Sequence, residues 1–555
     1  MKSRVKKWLI SSMLAGFTAI YSIAPNSSVY SIIIGVLLIF FLSFYLLGRV
    51  ELAEKLSEYK TTKKYKKILI LLATFLSTLT TVKYTFFIWK RIQDEPLPNG
   101  QTLLLLIPDI VLVIVALIII ILSSFTYFLL WYLLIKQYLD RVILFFKRLG
   151  VFEKGVVYSF MLLFSFINMI ILINTNAFVF PLHNGEIIYD VIFTTDTAAL
   201  VYEIDVFSSP GADQNDIRHL LFGIIGIPLA MICQPITYLV KGITIILGMN
   251  ISAFTLYGYF LSVTQAFLFS MSGLLLYKML SNVIVKQFAK LFFIGYLLSY
   301  STILFTITVE QYALATFTIL LFVYQYMQKA DSKFSYIIAS LSITTSFAML
   351  PFVLLENNRN LKKIVKTSIY LVTAVLLLLI FFGQLTEVLR ASSTITHLSK
   401  FSHDESITFL GKLDQFLGFV PSMFVAPNVV MTTDRITLGS LSDPVRMFSL
   451  FILSITLLSM MINRHLKLTI ISAYWVFISF LILVIIGWGS VEHSMVLYSS
   501  YFTWAYLILL ALLFNKLFIR RVLLGSFILI IMILLLFTYN SMEFVTYILR
   551  LSSFR

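Results

Sequence analysis

Between residues 193 and 221 the chain reads FTTDTAALVYEIDVFSSPGADQNDIRHLL. Four Asp and one Glu crowd into this stretch, and Arg218 and His219 follow at once. Across residues 177–216 the acids are Glu186, Asp190, Asp196, Glu203, Asp205, Asp213 and Asp216, with no Lys or Arg. Carboxylates so placed resist ionising together unless a divalent cation or a nearby basic side chain neutralises them. Oxygen ligands of this type suit Mg²⁺, Mn²⁺ or Ca²⁺ rather than Zn²⁺. A carboxylate in such a setting can also take a proton from a hydroxyl group. Acidic residues also simply solvate a loop, and that reading covers Glu186, Asp190, Glu203 and Asp213. Asp196 differs because IFTT and TAALV flank it, so it is a lone charge in an apolar stretch. It is the candidate base, although Asp196 or a neighbouring Thr could instead cap a short helix. Asp196 and Asp205 are the expected ligands if a metal is used, with Mg²⁺ or Mn²⁺ as the cofactor.

Arg218 and His219 open the next apolar run, DIRHLLFGIIGIPLA. A cation costs much less at a membrane interface than at the bilayer centre. Arg offers a planar fork that matches phosphate oxygens. Lipid phosphates sit at that depth. The alternative is a snorkelling Arg beside a solvated His. Together, the acids and the cation pair suit a lipid-linked sugar phosphate. Arg218 and His219 would hold its phosphate, and Asp196 would deprotonate an incoming hydroxyl. Asp205 and Asp216 are further substrate contacts.

These residues sit in a greasy chain. Of 555 residues, 59% are hydrophobic and 12% charged, against about 25% charged in soluble domains. Mean hydropathy is +0.95. The chain is expected to be an all-α, polytopic integral membrane protein. Its net charge of +16 would suggest nucleic acid in a soluble protein. Here the basic residues fall mostly in short loops, where they orient spans, so nucleic acid is not an expected partner. Cys233, the one cysteine, lies in an apolar run and reads as packing.

A span needs about 20 apolar residues. Runs of that kind near 8–24, 30–48, 68–88, 102–135, 156–178, 217–240, 253–276, 287–308, 311–327, 336–355, 367–386, 447–463, 468–487, 498–515 and 522–540 predict 13–15 transmembrane helices. With the N-terminus inside and strict alternation, 26 Lys and Arg fall on the cytoplasmic side and 14 outside, with Lys83 and Arg218 inside spans. Loop 177–216 is then outside. So is a large loop at 387–446, and so is a short segment in GWGSVEHSMVLYSSYFTWAYL, 487–507. The expected organisation is an N-terminal four-helix addition at 1–150, a core at 151–386, the outer loop 387–446, and C-terminal helices at 447–555.

At TTDTAAL and DIRHLLFGIIGIPL the sequence resembles glycosyltransferases of the GT-C fold that use polyprenyl-phosphate sugars. The protein O-mannosyltransferase and aminoarabinose transferase groups are of this kind. VEHSMVLYSSYFTWAYL is similar to the late outer loop and span of some bacterial members. The resemblance covers residues 156–507 loosely. It implies an acidic first outer loop with a catalytic Asp, placed at Asp196, and substrate contacts at Glu492 and His493. It also implies one direct, inverting displacement. In many members the acidic loop follows the first span, whereas four spans precede it here. The resemblance implies a plasma-membrane enzyme with an outward active site. It would join a polyprenyl-phosphate sugar to a cell-surface glycopolymer, lipid or protein.

Glu310, in TITVEQYALATF, interrupts apolar sequence and could line the active cavity, or sit in a turn. Strict alternation puts it on the cytoplasmic side. Two rival functions stay open. A flippase of lipid-linked saccharides would put charges inside spans and often shows inverted repeats. A polysaccharide polymerase or ligase would work through loop 387–446, with His403 and Arg435. Single cysteines at Ser208 and Thr61, in a Cys233→Ala background, should react differently with an impermeant thiol reagent on intact cells. Labelling at 61 but not at 208 would overturn the outward loop.

Overall fold

The computed structural model describes residues 145–174, 182–183, 186–187, 233, 236–249, 251–328, 360–362, 365–366, 369, 407–431, 436–439, 441–490 and 495–551. The chain divides into two compact units, one of 1–149, 207–231 and 366–391, the other of 150–206, 232–365 and 392–555. The elements below belong to the second.

They are overwhelmingly helical: α1 (Val151–Asn174), α2 (Ile236–Ile246), α3 (Ala253–Leu280), α4 (Lys286–Leu297), α5 (Tyr300–Ile307), α6 (Tyr312–Met327), α7 (Phe409–Ser422), α8 (Asp443–Ile462), α9 (Lys467–Phe480), α10 (Ser499–Phe518) and α11 (Val522–Leu551). Six helices among the described residues are long and apolar enough to cross a membrane. The bent pair α4–α5, turned by 45°, would make a seventh. The expectation of helical spans holds, with two additions. Leu182–His183 (β1) pairs antiparallel with Glu186–Ile187 (β2), and Val429–Met431 (β3) with Ile436–Leu438 (β4).

Two helices form the middle of the unit. Of the most apolar stretch of α3, 72% is buried; for Met495–Phe518, which contains α10, the figure is 89%. By contrast α11 is 17% buried and α8 22%, so these present apolar side chains outward, as lipid-facing helices do. Helix α3 packs on α1, α4 and α6. Gly273 is what lets α4 approach: a Cβ there would lie 2.8 Å from a ring carbon of Phe293. Small residues at such contacts bring membrane helices together. In α10, Trp504 stacks on Trp475 of α9 at 6.2 Å, and the Trp475 indole N–H donates to the Tyr501 carbonyl at 2.6 Å.

Expected loop 387–446 is partly helix. Thr408 caps α7, its hydroxyl accepting from Gly411 N at 3.2 Å. The second half of α7, from Phe416, is buried. The chain beyond it docks on the break between α4 and α5. Tyr300 N donates to Phe424 O at 2.9 Å, and Ser301 N to Met423 O at 3.4 Å. Asn540 of α11, fully buried, closes the joint. Its amide donates to Leu298 O at 3.0 Å and Phe424 O at 2.9 Å, and accepts from Ala426 N at 2.9 Å. Every backbone group freed in an apolar setting needs such a partner.

Asn540→Leu should therefore destabilise the protein by roughly 3 kcal/mol, since it strands one buried donor and leaves two carbonyls short of partners. Thermal unfolding in detergent checks this. A melting temperature equal to wild type would show that water or relaxation replaces the amide.

Candidate functional site

The helices place charge unequally at their two ends. Lys278, near the end of α3, pairs with Glu153 in the first turn of α1 at 2.5 Å. Lys290 of α4 lies 4.7 Å from the ring centre of Phe152. Val285 N, at the start of α4, donates to Asn515 Oδ1 near the end of α10 at 2.9 Å. One end of the unit thus carries Lys154, Lys278, Lys286, Lys290, Lys516, Arg520 and Arg521, and the α8–α9 turn adds Arg464 and Lys467. Among the described residues the opposite end has fewer: Lys241 of α2, shortly before the start of α3, with Lys412 and Arg446, the last held by Asp414 at 2.8 Å and by Asp443 at 2.9 Å.

Glu310 lies toward that opposite end. The chain leaves α5 at Thr308 in an extended conformation and re-enters helix after Gln311. The carboxylate of Glu310, 4% exposed, accepts from Gln311 N at 3.2 Å. Side chains from two other helices grip this unwound stretch. Gln265 of α3 donates to Thr308 O at 3.3 Å and Glu310 O at 2.7 Å. Asn168 of α1 donates to Thr306 O at 3.2 Å. Gln265 is fifteen residues from Leu280, roughly 22 Å along the axis. A hydrocarbon core is about 30 Å thick, so the turn sits well towards the far interface.

Two residues after Glu310, the Tyr312 ring lies 6.0 Å from Tyr498 and 5.2 Å from Tyr501. Tyr498 accepts from the Trp488 indole N–H at 2.7 Å. Gln415 of α7 donates to Ser490 O at 3.1 Å. Residues 487–490 and 495–498, the α7 helix and the Glu310 turn therefore share one end. This corrects strict alternation, which puts Glu310 and segment 487–498 on opposite sides. It also counts Lys278, Lys286 and Lys290 as outer residues, whereas they lie with Glu153 and Asn515 at the basic end. Alternation fails over this region because one misjudged crossing reverses the helices that follow until a second restores the count.

Asp196, Asp205, Asp216, Arg218, His219, Glu492 and His493 lie outside the described residues, as do Lys83, His403 and Arg435. Glu310 stands two residues before Tyr312, whose ring meets that of Tyr498, five residues after His493 in sequence. Helix α1 ends on the Asn168 side, and the acidic loop begins just beyond it. Among the described residues no group of three His, Cys, Asp or Glu side chains could hold a metal ion. Cys233 is buried, with its sulfur 3.6 Å from Thr264 Oγ1.

Sequence reading missed Asn168 and Gln265. Each is a single amide within an apolar helix, and that was the available signal. A membrane-spanning helix holds a buried amide at a cost unless it has a partner. Cysteines at Asn282 and at Ser442, in a Cys233→Ala background, should label from opposite sides of the membrane. Strict alternation places both outside, so labelling of both on intact cells would overturn the two-ended charge arrangement. No protein-family model, curated protein or solved structure matches this chain.

Proposed function

We propose that the protein is a membrane glycosyltransferase that moves a sugar from a polyprenyl-phosphate donor to a hydroxyl of an acceptor outside the cytoplasm. One observation carries this reading. The acidic loop follows the end of α1 that lies away from most of the lysines, and that same end holds the Glu310 turn and the Trp488–Tyr498 pair. Positive charge favours the cytoplasmic side, so the acids would face outward. The membrane would be the plasma membrane, with cell-surface glycopolymer, lipid or protein as acceptor.

In this reading the acceptor oxygen attacks the anomeric carbon while the bond from that carbon to the phosphate oxygen breaks. Asp196 takes the hydroxyl proton. Arg218 and His219 hold the departing lipid phosphate, which keeps its charge at the interface. Asp205, Asp216, Glu310, Glu492 and His493 would orient sugar and acceptor. If Mg²⁺ or Mn²⁺ takes part, Asp196 and Asp205 would supply its oxygen ligands.

Purified protein in detergent should transfer sugar from a polyprenyl-phosphate donor and not from a nucleotide sugar. Asp196→Asn should lose about 10²–10⁴ in rate, the usual worth of a general base. Arg218→Ala should lose tens- to a hundred-fold, as a charge-assisted bond implies, and Lys should rescue only partly because a point charge replaces the fork. An Asn variant within a few-fold of wild type would remove Asp196 from the chemistry.

A second reading has one observation in its favour. The α4–α5 pair is broken and bent by 45°, and transporters use broken helices at their sites. A flippase of lipid-linked saccharides would need a bilayer to act, so transfer in detergent separates the two.

A further inference from the structure

We propose that the corner formed by the start of α4 and the α10–α11 turn is a binding site for the headgroup of an anionic phospholipid. Four exposed cations converge there from three pieces of chain. Lys286 opens α4, Lys516 lies in the last turn of α10, and Arg520 and Arg521 lead into α11. Packing fixes the corner. Val285 N donates to Asn515 Oδ1 at 2.9 Å, so Lys286 and Lys516 each follow one member of a hydrogen-bonded pair. Arg521 N donates to Phe518 O at 2.8 Å, which closes the turn. Gly525 lets α11 lie against α4: a Cβ there would stand 2.8 Å from Phe288 Cζ and from Phe518 Cβ.

Towards α1, the same end supplies partners for its cations. Lys278 pairs with Glu153, and Lys290 lies over the Phe152 ring. The four at the corner have no carboxylate partner among the described residues. Three of them also oppose a helix dipole. Lys286 stands at the first position of α4, and Arg520 and Arg521 stand just ahead of α11, where the backbone favours an anion. Neither helix has an acid in its first turn, whereas α1 has Glu153 there. Orienting a span asks only for positive charge in the loop, so it does not account for this placement. An anion from outside the protein does. Arg meets phosphate with a two-pronged donor, and basic clusters between helices on the cytoplasmic side take up phospholipid headgroups. The neighbouring surface favours a lipid over a soluble anion. Leu523 is 82% exposed and Phe527 62%, so acyl chains would lie along this face of α11 below the headgroup. The site takes no part in glycosyl transfer and stands or falls separately.

The test is thermal unfolding of the full-length protein in neutral detergent, titrated with diphosphatidylglycerol, phosphatidylcholine or inorganic pyrophosphate. A ligand of the folded state raises the melting temperature once its concentration passes the dissociation constant. Wild type should melt several degrees higher with diphosphatidylglycerol and be unmoved by phosphatidylcholine. Arg520→Gln combined with Arg521→Gln should shift the onset of that rise about ten-fold or more to higher concentration, as the loss of charge-assisted bonds implies. Lys286→Gln combined with Lys516→Gln should shift it in the same direction. Arg464→Gln combined with Lys467→Gln removes equal charge from the α8–α9 turn at the same end and should leave the onset in place. Equal stabilisation by the two lipids, or by pyrophosphate at the same concentration as diphosphatidylglycerol, overturns the proposal. An equal shift in the α8–α9 variant means diffuse attraction to the whole end and also overturns it, as does an onset that neither corner variant moves.

Discussion

The unit depends on how one interruption in a membrane-depth helix is satisfied. Between α4 and α5 the chain bends, which frees the Leu298 carbonyl and the N–H groups of Tyr300 and Ser301. Lipid offers no hydrogen bonds, so these groups must be paired within the protein. Residues 423–426 supply carbonyls for the two N–H groups, and the Asn540 amide joins the remaining pieces. The Ser301 hydroxyl also bonds Met423 O at 3.0 Å and meets Thr503 Oγ1 of α10 at 2.8 Å. Four segments distant in sequence thus meet at one polar joint inside an apolar core. The bend redirects α5, and the direction of α5 sets where the Glu310 turn falls.

The rest of the polar inventory follows a simpler rule. Serine and threonine hydroxyls within the helices fold back onto carbonyls three or four residues earlier, as Ser270 does to Ala266 at 2.6 Å and Thr306 to Thr302 at 2.6 Å. Such bonds satisfy a hydroxyl without linking helices. Interhelical specificity therefore rests on groups that do reach across, among them Asn168, Gln265, Ser301, Asn540, Trp475, and Ser459, whose hydroxyl donates to Leu509 O at 2.5 Å. Packing of aromatic rings fills the space between them, as with Phe288 and Phe292 against Phe514 at 5.3 and 5.9 Å.

Hydropathy located the strongest helices well, because a run of about 20 apolar residues has few alternatives. The run at 253–276 becomes Ala253–Leu280, and that at 468–487 becomes α9 with its π-helical end at Ile486. The α4–α5 break was not legible, since no Pro or Gly marks LLSYSTILF and the cause lies in chain more than a hundred residues away. Helix α7 was hidden for a related reason: FLGKLDQFLGFVPS mixes charges with apolar residues, a pattern that reads as loop until a buried partner is known. The β1–β2 pairing had a sequence signal that went unused. Asn-Gly, at 184–185, is the dipeptide favoured in two-residue hairpin turns. As for the site, Glu310 stood out as a charge in apolar sequence, but its side of the membrane did not, because alternation carries no memory of a miscounted crossing.

The route from backbone to site can be followed through segment 487–490. Helix α9 widens into a π-helical turn over Leu481–Ile486 and stops at Gly487, which has a φ of 81°. A side chain is strained at that angle, and a Cβ there would also run into the Lys412 side chain of α7. Gly489, with a φ of 75°, repeats the left-handed turn two residues later. The two glycines reverse the chain around Trp488, which is thereby aimed at Tyr498. That hydrogen bond orients the Tyr498 ring, which packs edge-on against Tyr312. Tyr312 opens α6, and the turn that delivers it contains Glu310. The position of this buried carboxylate is therefore coupled to the conformation of a segment nearly 180 residues further along the chain. The contact on this route is that of the Tyr312 and Tyr498 rings.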